Sequence, residues 1–130
     1  MNRPDFIIPV TYWAGLGGVC ISLNDTIAIL FGIYVKQGVK LSITEHKLVI
    51  TPRLDDDTGP RVAMDYIHDK IQKYSGMKIY ISKAMTRIHI DAALSQVFSL
   101  EAGGSAKLEV FEDRLAVTRY PTLPLVLPRS

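Results

Sequence analysis

Residues 40–52, KLSITEHKLVITP, return 67 positions later as KLEVFEDRLAVTR at 107–119 (107 − 40 = 67). The shift pairs Lys40 with Lys107, Leu41 with Leu108, Glu45 with Glu112, Leu48 with Leu115 and Thr51 with Thr118. It continues backwards without a gap through Phe31/Phe98, Ile33/Leu100, Ile27/Leu94, Leu23/Ile90 and Ile21/Ile88, so the copies cover 18–52 and 85–119. Similarity at so long a period marks duplication of a whole supersecondary unit, and two copies point to a pseudo-twofold pair rather than a solenoid.

Each copy has its own internal pattern. In the second, KIYIS (78–82) and RIHI (87–90) alternate in hydrophobicity around a short connection, Lys83 to Thr86, which predicts a β-hairpin with Ile79, Ile81, Ile88 and Ile90 facing the core. Asp91 is placed to cap a short helix carrying Leu94, Val97 and Phe98 at three- and four-residue spacing. Gly103 and Gly104 end that regularity, and Leu108, Val110, Leu115 and Val117 form a second hairpin turning at 112–114. The unit reads ββαββ. In the first copy the order is the same: FIIPVTY (6–12), a Gly-rich turn, VCISL (19–23), a helix capped by Asn24, and the closing hairpin. Pro9 argues for an edge position of the first strand, because it cannot donate to a ladder.

Between the copies, RLDDDTG precedes Pro60, after which Met64, Ile67, Ile71 and Tyr74 recur at three, four and three residues. That spacing predicts a linker helix. The tail, YPTLPLVLPRS, has three prolines in eleven residues and reads as extended. The expected organisation is a first unit at 1–52, an acidic loop and linker helix at 53–76, a second unit at 77–119 and a Pro-rich tail at 120–130. The expected fold class is mainly β with short helices (α+β): two tandem ββαββ swapped-hairpin-like units forming one pseudo-twofold β-barrel, with a linker helix. A hairpin with one short helix cannot bury both faces, so a second copy in the same chain supplies its partner.

At 130 residues, 48% hydrophobic and 22% charged, the chain has the composition of a folded domain and not of a disordered one. Fifteen Lys and Arg against thirteen Asp and Glu leave +2, which permits nucleic-acid binding without arguing for it. Cys20, the single cysteine, lies in an apolar run and reads as a small buried hydrophobe in a reducing compartment. The opening MNRPDFIIPVTYW lacks a basic region followed by an unbroken apolar stretch, and no segment offers ~18 uncharged apolar residues. A cytoplasmic protein without a membrane span is expected.

Chemical motifs are few. His46, His68 and His89 are 22 and 21 residues apart, with no metal-ligand spacing among them. The run Asp55, Asp56, Asp57 before Thr58-Gly59 reads as a solvated turn rather than a cation site. GLGG (15–18) lacks the flanking strand, helix and acid of a dinucleotide site, and no Lys-Ser/Thr follows it as in a P-loop. No Ser, Cys or Lys sits in a nucleophile setting. The expectation is therefore no cofactor, no metal and no catalytic residue, with a small barrel enzyme as the outlying alternative.

The stretch TRIHIDAALSQVFSLEAGGSAKLEVFEDRLAVT resembles the AbrB, MazE and SpoVT type of swapped-hairpin module through Arg87-Ile88-x-Ile90, Leu94, Leu100-x-x-Gly103 and Leu108-x-Val110. Two modules in one chain are similar to the tandem arrangement of MraZ-type proteins. The resemblance implies a DNA-binding regulator of transcription, or of a toxin, plasmid or phage module, in which a basic hairpin face enters the major groove of double-stranded DNA. By position, Lys78, Lys83 and Arg87 inherit that role, and His89 is counted with them. It also implies a homodimer. The first copy lacks this charge, since no Lys or Arg stands between Arg3 and Lys36. Hence the alternative: a protein-interaction or inhibitory module that does not bind DNA and meets its protein partner through Tyr12 and Trp13.

Overall fold

The computed structural model describes residues 5–69, 72–74, 77–79 and 83–120, with backbone alone at 68, 69, 72–74, 77–79 and 83. In chain order the elements are β1 (Asp5–Tyr12), β2 (Val19–Asn24), α1 (Asp25–Leu30), β3 (Val39–Thr44), β4 (Lys47–Pro52), β5 (Met64–Asp69), β6 (Gln72–Tyr74), β7 (Met77–Ile79), β8 (Lys83–Ile90), α2 (Ala92–Val97), β9 (Ser105–Val110) and β10 (Leu115–Tyr120). Eight strands form one antiparallel sheet in the order β3-β4-β10-β9-β1-β2-β8-β5, curled into a half-barrel, and β6 pairs with β7 apart from it. No helix among the described residues is long and apolar enough to cross a membrane.

Local chemistry recurs at the 67-residue offset. Asn24 and Asp91 each accept a hydrogen bond at the first turn of a six-residue helix, from Ile27 N–H and Leu94 N–H. Capping of this kind satisfies a donor that the helix cannot. Both helices end in the same way: Ile33 N–H donates to the Ala28 carbonyl and Leu100 N–H to the Ser95 carbonyl, each at 2.8 Å. Between them Gly32 and Ser99 take positive φ, 65° and 54°. This is the left-handed stop that closes a helix and turns the chain back.

Two ladders pair positions that stand 67 residues apart. In the β2·β8 ladder Ile21 lies opposite Ile88, its own counterpart (88 − 21 = 67), and in the β4·β10 ladder Val49 lies opposite Ala116 (116 − 49 = 67). Ile21, Leu23, Ile88 and Ile90 from one region and Leu48, Ile50, Leu108, Leu115 and Val117 from the other are fully buried in a single core. Each such side chain contributes about 1.5–3 kcal/mol relative to an exposed one.

Three expectations are corrected. Met64–Asp69 is a strand, not the start of a linker helix: it pairs along β8 from Met64↔Ile88 to Asp69↔Lys83, and this tertiary ladder outweighs the 3-4-3 spacing. Residues 70, 71, 75 and 76 of that expected helix lie outside the described residues. Lys83 to Thr86 is not a connection between 78–82 and 87–90, because β8 runs unbroken from Lys83 and Met77–Ile79 pairs with β6 instead. Finally, β1 is not an edge strand. Its first half, Asp5 to Pro9, pairs with β9, and its second half, Val10 to Tyr12, pairs with β2. Pro9 stands where the strand changes partner, with a ladder on one side only, which is how the sheet accommodates a residue lacking N–H.

Candidate functional site

Alternation along β8 sends Ile88 and Ile90 into the core and sets Arg87 and His89 on the outer face, beside Ser22 and Cys20 of β2. Asp65 of β5 lies opposite Arg87. The Arg87 guanidinium donates to both Asp65 oxygens, from Nε at 2.6 Å and from Nη2. This bidentate pair holds the guanidinium above its already high ordinary value, against the opposing effect of burial. Trp13 lies on the same group, its ring 5.1 Å from Arg87 Cζ, and its other neighbour is the His89 ring, with centroids 5.3 Å apart. His89 Nε2 is 2.7 Å from the Gly17 carbonyl, so that nitrogen carries the proton. Cys20 is buried, its sulfur 2.9 Å from Thr11 Oγ1.

This chain of contacts, Asp65–Arg87–Trp13–His89–Gly17, fastens the 13–18 loop onto the sheet. Gly18 makes the approach feasible: a Cβ there would lie 2.2 Å from the Ile90 carbonyl oxygen, and its φ is +76°. The fastened loop reaches a cleft of about 650 Å³, a volume typical of ligand sites. One wall is the outer edge of β3, Val39 to Leu41, which has no ladder partner among the described residues; another is Thr58 and residues 60–63 before β5; Leu16, Arg53, Asp56, Asp57, His89, Asp91 and Leu94 line the remainder. Thus β3, one end of the curled sheet, and the segment leading into β5, the other end, both border it.

Charges of both signs line the cleft. Arg53 donates to the carbonyls of Asp57 (3.0 Å) and Gly59 (3.3 Å), and Arg61 lies 3.4 and 3.5 Å from those of Lys36 and Gln37. Both guanidinium groups therefore meet neutral oxygens. Lys40 is 3.9 Å from Asp57, at the outer limit of an ion pair, with 60% of its side chain exposed.

The expected site residues are redistributed by this geometry. Arg87, His89 and Trp13, assigned above to two different functions, belong to one cluster. Trp13 is half-buried in it, whereas Tyr12 is 66% exposed and outside it. The Lys78 and Lys83 side chains lie outside the described residues. Asp65, Lys40, Arg53 and Arg61 were not singled out by motif or spacing; Asp65 fell within the expected helix. The one available signal was Lys40-Leu41, a dipeptide identical in both copies. Among the described residues no group of three or more His, Cys, Asp or Glu side chains could hold a metal. Comparison of the chain with protein-family models, with curated proteins and with solved structures found no match.

Proposed function

We propose that this protein is a protein-interaction module, built from two tandem AbrB-like ββαββ units about a pseudo-twofold axis, whose binding site is the cleft beside β3. The repeated helix caps and stops, together with the self-paired positions Ile21/Ile88 and Val49/Ala116, support the duplication. The single observation that carries the function is a cleft of ligand size lying along β3, whose outer edge has no ladder partner among the described residues. Proteins commonly recognise extended segments at such edges.

Recognition of double-stranded DNA through β8 is the less favoured reading. A phosphate contact needs a cation that can trade counterions for the backbone, and Arg87 is already neutralised by Asp65 and covered by Trp13. That reading rests on Lys78 and Lys83. Fluorescence anisotropy with a labelled random-sequence duplex at low ionic strength separates the two. The expected result is no saturable binding; salt-sensitive binding that Lys83→Glu with Arg87→Glu abolishes would restore the DNA reading.

A further inference from the structure

The occupant of the β3 edge can be deduced from an edge of the same molecule that is already occupied. Residues 105–109 of β9 are covered by Asp5 to Pro9 of β1, with Phe6 opposite Leu108, Ile8 opposite Ala106 and the Asp5 carboxylate 3.7 Å from Lys107 Nζ. Subtracting 67 from Ala106, Lys107 and Leu108 gives Val39, Lys40 and Leu41, which line the cleft. Lys-Leu is identical at both places. What differs is the cover: among the described residues β3 has β4 as its sole ladder partner.

The segment that should cover it is present but displaced. Met64 stands opposite Ile88 as Val10 stands opposite Ile21, so 59–63 holds the place before β5 that Asp5–Pro9 holds in β1. Gly59-Pro60 and the turn at 54–57, closed by the Asp57 carboxylate on Leu54 N–H at 2.8 Å, take this segment away from β3. At the far end, where Val10 N–H donates to the Gly104 carbonyl, the equivalent Gln37 carbonyl faces the Arg61 side chain instead. The cleft is the space left between.

We propose that this edge takes an extended segment of another protein with the pattern acid, apolar, any residue, apolar, added as an antiparallel strand along Val39–Ser42. The proposal rests on the protein-interaction reading and specifies its ligand. The two apolar side chains sit against Leu41 and Val39, and the acid pairs with Lys40, displacing the distant Asp57. Main-chain hydrogen bonds supply affinity and these three positions supply selectivity.

The probe is a labelled synthetic peptide with the sequence of residues 3–11, RPDFIIPVT, which carries the pattern in a register seen in this fold. Anisotropy should give saturable binding, and amide hydrogen exchange should slow at 39–44. The peptide carrying Asp5→Lys should bind about tenfold or more weakly, as a charge-assisted contact becomes a repulsion. Lys40→Glu in the protein should reverse that preference, and Asp57→Asn, which keeps an oxygen for Leu54 N–H, should tighten binding. Thermal melts of both variants check that the fold persists.

Absence of saturable binding, equal affinity for the two peptides, or slowed exchange at β9 in place of β3 would overturn the proposal. So would concentration-dependent dimerisation that protects β3 without peptide, since the occupant would then be a second copy. A displayed peptide library keeps this failure distinct from that of the underlying reading. Selection of a different pattern that protects 39–44 removes the acid-apolar ligand alone, whereas salt-sensitive duplex binding with no selected peptide removes the interaction module itself.

Discussion

Two edges of this molecule carry the same Lys-Leu dipeptide and have different surroundings. On β9, Leu108 is fully buried and 35% of the Lys107 side chain is exposed, with β1 lying across both. On β3, Leu41 is partly buried and Lys40 is 60% exposed. Burial is thus a property of what crosses a residue, not of the residue's type, and identical sequence is compatible with a core position in one strand and a partly exposed position in the other.

The largest expected effect separates the two leucines. Leu108→Ala removes a fully buried side chain and should cost about 2–5 kcal/mol, while Leu41→Ala, at a partly buried position, should cost about 1 kcal/mol. Urea unfolding of the two variants measures both, and equal costs would mean that β3 is as well covered as β9.

A smaller difference separates the two carboxylates that stand in the strands flanking β2 and β8. Asp65→Asn weakens a bidentate contact to a guanidinium beneath an indole ring and should cost about 1–3 kcal/mol. Asp5→Asn affects only the longer, exposed contact to Lys107 and should cost less than about 1 kcal/mol, diminishing with salt. Denaturation midpoints at low and high ionic strength would reveal a reversal of that order.

The parts of the fold that were legible are those decided by neighbours in the chain. Asn24 and Asp91 mark their helices because the cap lies three residues from its donor. The closing hairpins are legible because short connections, Glu45-His46 between β3 and β4 and residues 111–114 between β9 and β10, bring alternating strands straight back together. β5 was not legible: Met64 and Ile67 fit a helical stripe, and the ladder that makes this segment a strand comes from β8, some twenty residues on. The outer face of β8 was legible in part. Alternation put Arg87 and His89 together, but nothing local announced that Asp65 would neutralise one or that Trp13 would lie between them. The cleft was the least legible, since it depends on how differently two similar edges are covered among the described residues.

The smallest effect concerns β5, the other end of the sheet. Tyr66 donates its hydroxyl to Asp25 of α1 at 3.1 Å, and partial desolvation followed by this hydrogen bond raises the phenol above its ordinary 10.0. At the corresponding position of the other unit, Tyr12 has Ala92 as the counterpart of Asp25, which offers no carboxylate. Below pH 10 Tyr66 is protonated in folded and unfolded chains alike, and its contribution is complete. Above that pH the unfolded chain ionises first, so stability falls until the folded-state value is passed. Phenolate absorbance of the native protein should show, in Tyr66→Phe, the loss of a transition lying above pH 10; loss of a transition at or below that pH would contradict the raised value.

The self-paired positions Ile21/Ile88 and Val49/Ala116 have a consequence for what such a molecule can encode. Two separate identical subunits meeting at those positions would carry every substitution twice, so any change that opened one edge would open both. Joined in one chain, the halves also associate without dependence on concentration. Proline, an acidic turn and a displaced strand can then be written into one half alone. Covalent union makes it possible for two stretches of the same sequence to be covered differently, as Lys107-Leu108 and Lys40-Leu41 are among the described residues.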